Sequence, residues 1–293
     1  FGSSRLRLRS SNAQSPERAS RLSHQHAAAT SALTAARQNK VLMIFDESEH
    51  VKREFSFEVS HAGAVANTEV VSFTLFGWEN PTKGDIVWRG AWALADELAS
   101  RGPQSLKGKR LLELGAGCGL LGAVAAKLGA LAVISDGDEG EIPLLHQNAE
   151  MISSSLPEGG LLAGTYLEWG RAAADAAHTA ASGHAPGDPR AMLHRHSFDF
   201  VVGSDIAYMP KHIPELAETI AFFLAEQGEA LIVNTAVSTM ADRAEAAALF
   251  QQTLRSNGLL VEEAELARAP SAWPEGSYFL RISHNLESSA REG

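Results

Sequence analysis

Four stretches of the chain place chemically capable residues at telling spacings. Residues 110–122 read RLLELGAGCGLLG. Apolar Leu111, Leu112 and Leu114 surround one acid, Glu113, and glycines follow at 115, 117 and 119. The Ala- and Leu-rich segment after them has helical composition. Strand, Gly-rich turn and helix together present backbone N–H groups to a bound ligand. The glycines are needed where a Cβ would block that approach or where the turn requires positive φ. Further on, LAVIS (131–135) ends at Asp136, LLAGTYLEWG (161–170) ends in Trp169-Gly170, and FDFVVGS (198–204) runs into Asp205-Ile206-Ala207-Tyr208. The carboxyl ends of such strands are where α/β sheets place their chemistry.

The glycine string admits two ligands. Gly117-x-Gly119-x-x-Gly122 matches the dinucleotide fingerprint literally. That fingerprint starts directly after its strand, so Gly115 should open it, and position 120 should then be Gly but is Leu. Glu113-x-Gly115-x-Gly117-x-Gly119 is the better register. An acid at the strand end with alternating glycines suits S-adenosyl-methionine (SAM), which carries a sulfonium, an α-amino group and a carboxylate and has no pyrophosphate. A tight turn without any ligand is the plain structural reading.

Asp136 is placed to accept two hydrogen bonds from a ribose hydroxyl pair. Asp138 competes for that role and also suits the N-cap of a helix over 139–152. Trp88 precedes an expected helix and can project into a cleft or pack in the core. Trp169 can stack on a purine or simply pack. Asp205 and Tyr208, an acid and a phenol three residues apart at a strand end, are read as functional. His194 and His196 have no Cys or acid at ligand spacing, so no metal site is expected.

Composition bounds these readings. The 293 residues are 45% hydrophobic with a net charge of −10, which argues against a general nucleic-acid or membrane-surface binder. One cysteine, Cys118, permits no internal disulfide and fits a reducing compartment, so a cytoplasmic location is expected. No apolar run approaches the length of a membrane span. The charge is uneven: residues 1–40 carry +6 and the remainder −16. The basic Ser- and Ala-rich segment reads as a disordered tail or as an organelle transit peptide, which would make the location organellar. A start at Phe1 rather than Met is expected of a fragment or processed form.

Positioning elements follow from periodicity. VLMIF (41–45) suits a strand. EFSFEVS (54–60) alternates with Phe55, Phe57 and Val59 on one face, and EVVSFTLF (69–76) returns, predicting a hairpin with its turn over 61–67. Residues 79–84 read as a loop and 85–100 as a helix. Strands over 110–114, 131–135, within 161–170 ahead of Trp169-Gly170, 198–204, 229–237, 258–266 and 277–283 alternate with helices over 119–129, 139–152, 212–226 and 240–256. Residues 171–197, rich in Ala, His and Gly, show little periodicity and read as a flexible insertion. The expectation is a single domain over 41–293: a Rossmann-like, seven-stranded, mostly parallel sheet with helices on both faces, preceded by an N-terminal β-hairpin (extension 41–84).

Four motifs, DIVWRGAWALADEL, LLELGAGCGLLG, YLEWG and VVGSDIAYMP, line up with one subfamily of the class I SAM-dependent methyltransferases. Over roughly 41–284 the chain resembles the family 16 methyltransferases, best known for lysine methylation of proteins. The resemblance implies SAM as cofactor, with Trp88 bordering its pocket, Glu113, Gly115 and Gly117 holding the methionine end, Asp136 the ribose and Trp169 the adenine. It implies that Asp205 and Tyr208 line the place where an acceptor nitrogen meets the methyl group. The expected partner is a protein with an accessible lysine, met by a monomer without nucleic acid or membrane. A small-molecule N-methyltransferase and a non-catalytic SAM-binding module stand as alternatives.

Overall fold

A computed structural model describes residues 50–60, 69–78, 87–185, 187–235, 243–268 and 273–285, all within one compact unit, 45–293. The basic segment 1–40, the strand expected over 41–45, the hairpin turn and the 79–84 loop lie outside the described residues.

The alternating pattern forms the hairpin. β1 (His50–Val59) pairs antiparallel with β2 (Glu69–Trp78), with Phe55 opposite Phe73. Phe55, Phe57 and Val59 are buried while the intervening residues are exposed. Next comes α1 (Arg89–Leu106), which kinks at Gly102 (φ 67°) before Pro103. It buries Leu94, Ala95 and Leu98 against the hairpin and the sheet.

The main sheet is then wound by β3 (Arg110–Leu114), α2 (Leu120–Lys127), β4 (Leu131–Asp136), α3 (Ile142–Ser153) and β5 (Leu161–Tyr166). The second half is α4 (Arg171–Ala181), β6 (Phe198–Ser204), α5 (Ile213–Phe223), β7 (Leu224–Asn234), α6 (Arg243–Ser256), β8 (Leu259–Glu263) and β9 (Tyr278–His284). The seven strands lie in the order β5-β4-β3-β6-β7-β9-β8, with β9 antiparallel to both neighbours. The mostly parallel, Rossmann-like sheet and preceding hairpin are therefore as expected. Strands buried on both faces account for the near-continuous apolar runs. Leu112, Leu114 and Val201 pack towards α5 and α6, whereas Leu111, Phe200 and Val202 pack with α1, α2 and the hairpin.

Two expectations are corrected. Residues 171–197 are not an unstructured insertion. They carry α4, a short 3-10 turn (Pro189–Met192) and Leu193 in the core. The buried stripe of α4 is alanine (Ala174, Ala177, Ala181), too weakly apolar to stand out as a period. Likewise the helix expected over 212–226 ends at Phe223, and the strand starts at Leu224, opposite Phe198. Gly228 allows the close approach there, since a Cβ would lie 2.8 Å from the Phe198 carbonyl oxygen. Among the described residues no helix is long and apolar enough to cross a membrane.

One buried side chain joins hairpin to sheet. Asn148 on α3 accepts from the Phe76 N–H (2.7 Å) and donates to the carbonyls of Phe76 (3.0 Å) and Cys118 (2.9 Å). Asn148→Ala removes all three bonds from a fully buried position. We expect a loss of about 2–4 kcal/mol in urea denaturation, from polar groups that stay desolvated.

Candidate active site

Glu113 sits where β3 ends, its side chain on the α1–α3 face of the sheet. Its carboxylate accepts from the N–H groups of Leu121 (3.3 Å) and Gly122 (2.7 Å), the first turn of α2. An acid in that position satisfies orphan donors and meets the positive end of the helix. The three glycines of the turn are left-handed, but for different reasons. A Cβ on Gly115 would lie 2.6 Å from Ile206 Cγ2, and one on Gly119 2.6 Å from Ile134 Cδ1, so these two glycines serve packing. A Cβ on Gly117 (φ 52°) meets nothing within 4 Å. A side chain there would project into open space, where a ligand can come against the backbone.

That space is a cavity of about 850 Å3 at the carboxyl ends of the strands. Trp88, Glu113, Gly115, Gly117, Asp136, Trp169, Asp205 and Tyr208 all line it, so the structure brings together every residue singled out from the sequence. Asp136 accepts from the Gly117 N–H (3.1 Å) and the Asp138 N–H (3.0 Å) and, with about four lone-pair sites, retains acceptor capacity. Asp138 does not cap α3, which begins later, at Ile142. Its carboxylate closes a turn onto the Gly140 N–H instead.

Asp205 is one of two non-glycine residues with positive φ (55°) among those described. Its Oδ1 accepts from the Thr235 N–H (2.6 Å) and hydroxyl (2.7 Å), and its Oδ2 from the Gly90 N–H (3.1 Å). The acid therefore locks the start of α1, and with it Trp88, to the end of β7. Tyr208 and Trp88 are 41% and 45% exposed.

Several lining residues were not singled out from the sequence. Trp78 of the hairpin donates from its indole to Glu141 (2.9 Å), carrying the hairpin into the cavity wall. His212, Glu215, Asn234, Thr235 and Tyr278 arrive from α5, β7, β9 and the adjoining turns. None lies in a motif, and only the sheet order brings them together.

The charge of the wall decides what it can hold. Glu113, Asp136, Asp138, Glu141, Glu168, Asp205 and Glu215 line it, and the described lining residues include no Lys or Arg. A pyrophosphate would find no Lys or Arg among these described residues, and Glu113 already occupies α2 N–H groups that such a ligand would use. The dinucleotide reading fails on both counts. A sulfonium and an α-ammonium suit the wall, and Asp136 suits a ribose. Burial raises the carboxyl pKa of Asp136, and burial raises that of Glu113 from 4.5 to about 8 against the two N–H groups that lower it. Burial also pushes the Cys118 thiol up to about 12, so it is no nucleophile at neutral pH.

Residues 72–182 match the family model described as lysine methyltransferase, which bears out the resemblance read from the motifs. Among curated relatives, the chain is 30% identical over 145 residues to the protein N-lysine methyltransferase METTL21A of Danio rerio, covering 49% of this chain and 56% of that one. It is 29% identical over 177 residues to the histone-arginine methyltransferase METTL23 of Xenopus laevis, covering 59% and 65%. The chain thus spans between half and two thirds of these relatives. Among solved structures, the 16S rRNA N2 G1207 methyltransferase RsmC of T. thermophilus, in complex with AdoMet and guanosine, superposes with a TM-score of 0.46 at 17% identity, covering 80% of this chain and 50% of that one. The matched family segment stops before Asp205 and Tyr208.

The raised Glu113 pKa has a stability consequence. The folded chain binds this proton more tightly than the unfolded chain, so the contribution is complete below about pH 4.5 and is lost as pH rises to about 8. Without ligand, wild type should lose up to about 5 kcal/mol across that window relative to Glu113→Gln. Melting curves of the two proteins from pH 4 to pH 9 check it.

Proposed function

We propose that this protein transfers a methyl group from SAM to a nitrogen of a protein side chain, and that the nitrogen is a lysine Nζ. The observation that carries the reading is the acid-lined cavity at the strand ends, free of Lys and Arg among its described lining residues, with two half-exposed aromatics, Trp88 and Tyr208, in its wall. The lysine match over 72–182 and the METTL21A relative support the acceptor. The −16 charge of residues 41–293 favours a basic protein partner.

SAM supplies a methyl group already activated on a sulfonium, so the chain's task is positioning. Gly117 lets the backbone approach the methionine end, Glu113 holds the turn that carries it, the exposed carboxyls of the wall offset positive charge, Asp136 takes the ribose hydroxyls, and Trp169 faces the adenine. A lysine reaches the site as an ammonium with a pKa near about 10.4 and must be neutral to attack. The aromatic wall of Trp88 and Tyr208 disfavours the charged form once water is excluded, and the proton leaves to water. Asp205 fixes this wall by tying Gly90 to Thr235, and Tyr208 orients the amine.

Wild type and Gly117→Arg, incubated with radiolabelled SAM and a lysate of the organism of origin, test the reading. A discrete labelled protein band, lost with Gly117→Arg, is expected, and hydrolysis of that band should release methyl-lysine. Methyl-arginine would transfer the assignment to the chemistry named for the METTL23 relative. Label confined to small acid-soluble material would identify a metabolite enzyme, and calorimetric SAM binding without any label would leave a binding module. With the labelled protein in hand, Asp205→Ala should lower turnover by about a hundredfold through misplacement of the wall, and Tyr208→Phe by about tenfold or more. Wild-type turnover in both variants would remove these two residues from the mechanism.

A further inference from the structure

Glu215 is the third residue of α5, and nothing in the motifs points to it. It lines the cavity, and its side chain lies against the turn that carries Trp169: a Cβ built on Gly170 would stand 3.3 Å from Glu215 Cγ and 3.5 Å from its Cβ. The backbone on both sides is pinned. The Gly170 N–H donates to Thr219 Oγ1 (2.8 Å), which itself donates to the Glu215 carbonyl (2.8 Å). The acid is therefore held in register with the Trp169-Gly170 turn. Yet Glu215 Oε2 is buried and has no hydrogen-bond partner among the described residues. A buried carboxylate oxygen without a donor is costly, and such groups mark places where a partner is supplied from outside the chain. The acid next to Trp169, Glu168, lines the same cavity and is the competing candidate.

We propose that Glu215 accepts a hydrogen bond from the exocyclic amine of the cofactor's purine and so makes the site specific for adenine. This rests on the SAM reading above, in which Trp169 faces the base. A ligand of this kind offers three sets of donors: the ribose hydroxyls, met by Asp136; the α-ammonium, drawn to the acids around the glycine turn; and the amine of adenine, the one set left for the Trp169 end. The terminal torsion of Glu is soft, so either oxygen can turn to the amine. A carboxylate is acceptor-only. It takes the amine of adenine and repels the carbonyl that replaces it in hypoxanthine, and sites that pair a buried polar group with one ligand atom reject analogues lacking that atom strongly.

Titration calorimetry with S-adenosyl-homocysteine and S-inosyl-homocysteine on the full chain tests the assignment without any methyl acceptor. Wild type should prefer the adenosyl ligand by about a hundredfold or more. Glu215→Gln keeps the shape and gains a donor, so it can meet either purine, and the preference should collapse to within about tenfold, mostly through tighter binding of the inosyl ligand. A gain of that kind cannot come from a variant that merely unfolds. A wild-type protein indifferent to the two ligands overturns the proposal, as does a Glu215→Gln protein that keeps the wild-type ratio or a collapse produced by Glu168→Gln instead. Failure of wild type to bind S-adenosyl-homocysteine at all would overturn the SAM reading, and this proposal with it.

Discussion

A buried carboxylate at a helix start holds this site together. Glu113 is 3% exposed, carries a raised pKa and still spends its acceptors on Leu121 and Gly122 of α2. The contact demands close packing, because a Cβ on Gly122 would lie 2.2 Å from Ile134 and 3.1 Å from the Glu113 carboxylate. It also fixes the turn between strand and helix. The main chain of Glu113 is held in turn by the Ser135 hydroxyl (2.7 Å), the Gly117 N–H by Asp136, and the Cys118 carbonyl by Asn148. Each anchor comes from a different place: the strand beside β3, the end of that strand, and the helix after it. A Gly-rich loop that would otherwise be mobile is thereby preorganised, with Gly117 left as the point of approach for a ligand.

Asp205 plays the corresponding part on the far side of the cavity. It pays for its left-handed backbone with three hydrogen bonds that join α1 to the end of β7. Asn234 continues the same edge by accepting from the Ala207 N–H (3.2 Å). The wall bearing Trp88 and Tyr208 thus rests on the strand-end turns of β6 and β7, elements far apart in sequence.

Much of this was legible in the sequence where one residue's environment repeats along the chain. Phe55, Phe57 and Val59 alternate and are buried; the apolar runs of β3, β4 and β6 are buried on both faces. The eight motif residues all reach one cavity because each lies at a strand end or helix start, positions that periodicity locates well. Illegibility had two physical sources. Small side chains bury without announcing it, as the alanines of α4 do, and a helix can pass directly into a strand with no turn residue between Phe223 and Leu224. The other source is distance: Trp78, Asn148 and Glu215 matter through contacts with residues that only the sheet order makes neighbours.

The charge of the cavity connects these devices to the proposed reaction. Seven carboxyls face one space, and the ones whose hydrogen bonds are resolved spend them largely on main-chain N–H groups of the fold. Those bonds hold the acids in place, while burial still raises the carboxyl pKa of Glu113 and Asp136. The acceptors are positioned by the backbone before any ligand arrives, so a cation entering the cavity meets groups already arranged for it. On the reading proposed above, the donor enters as a sulfonium and leaves as a neutral thioether. The same field that draws the donor in therefore loses one charge–charge attraction when the methyl group has gone, and a site built to hold a cation favours exchange of the spent donor for a fresh one.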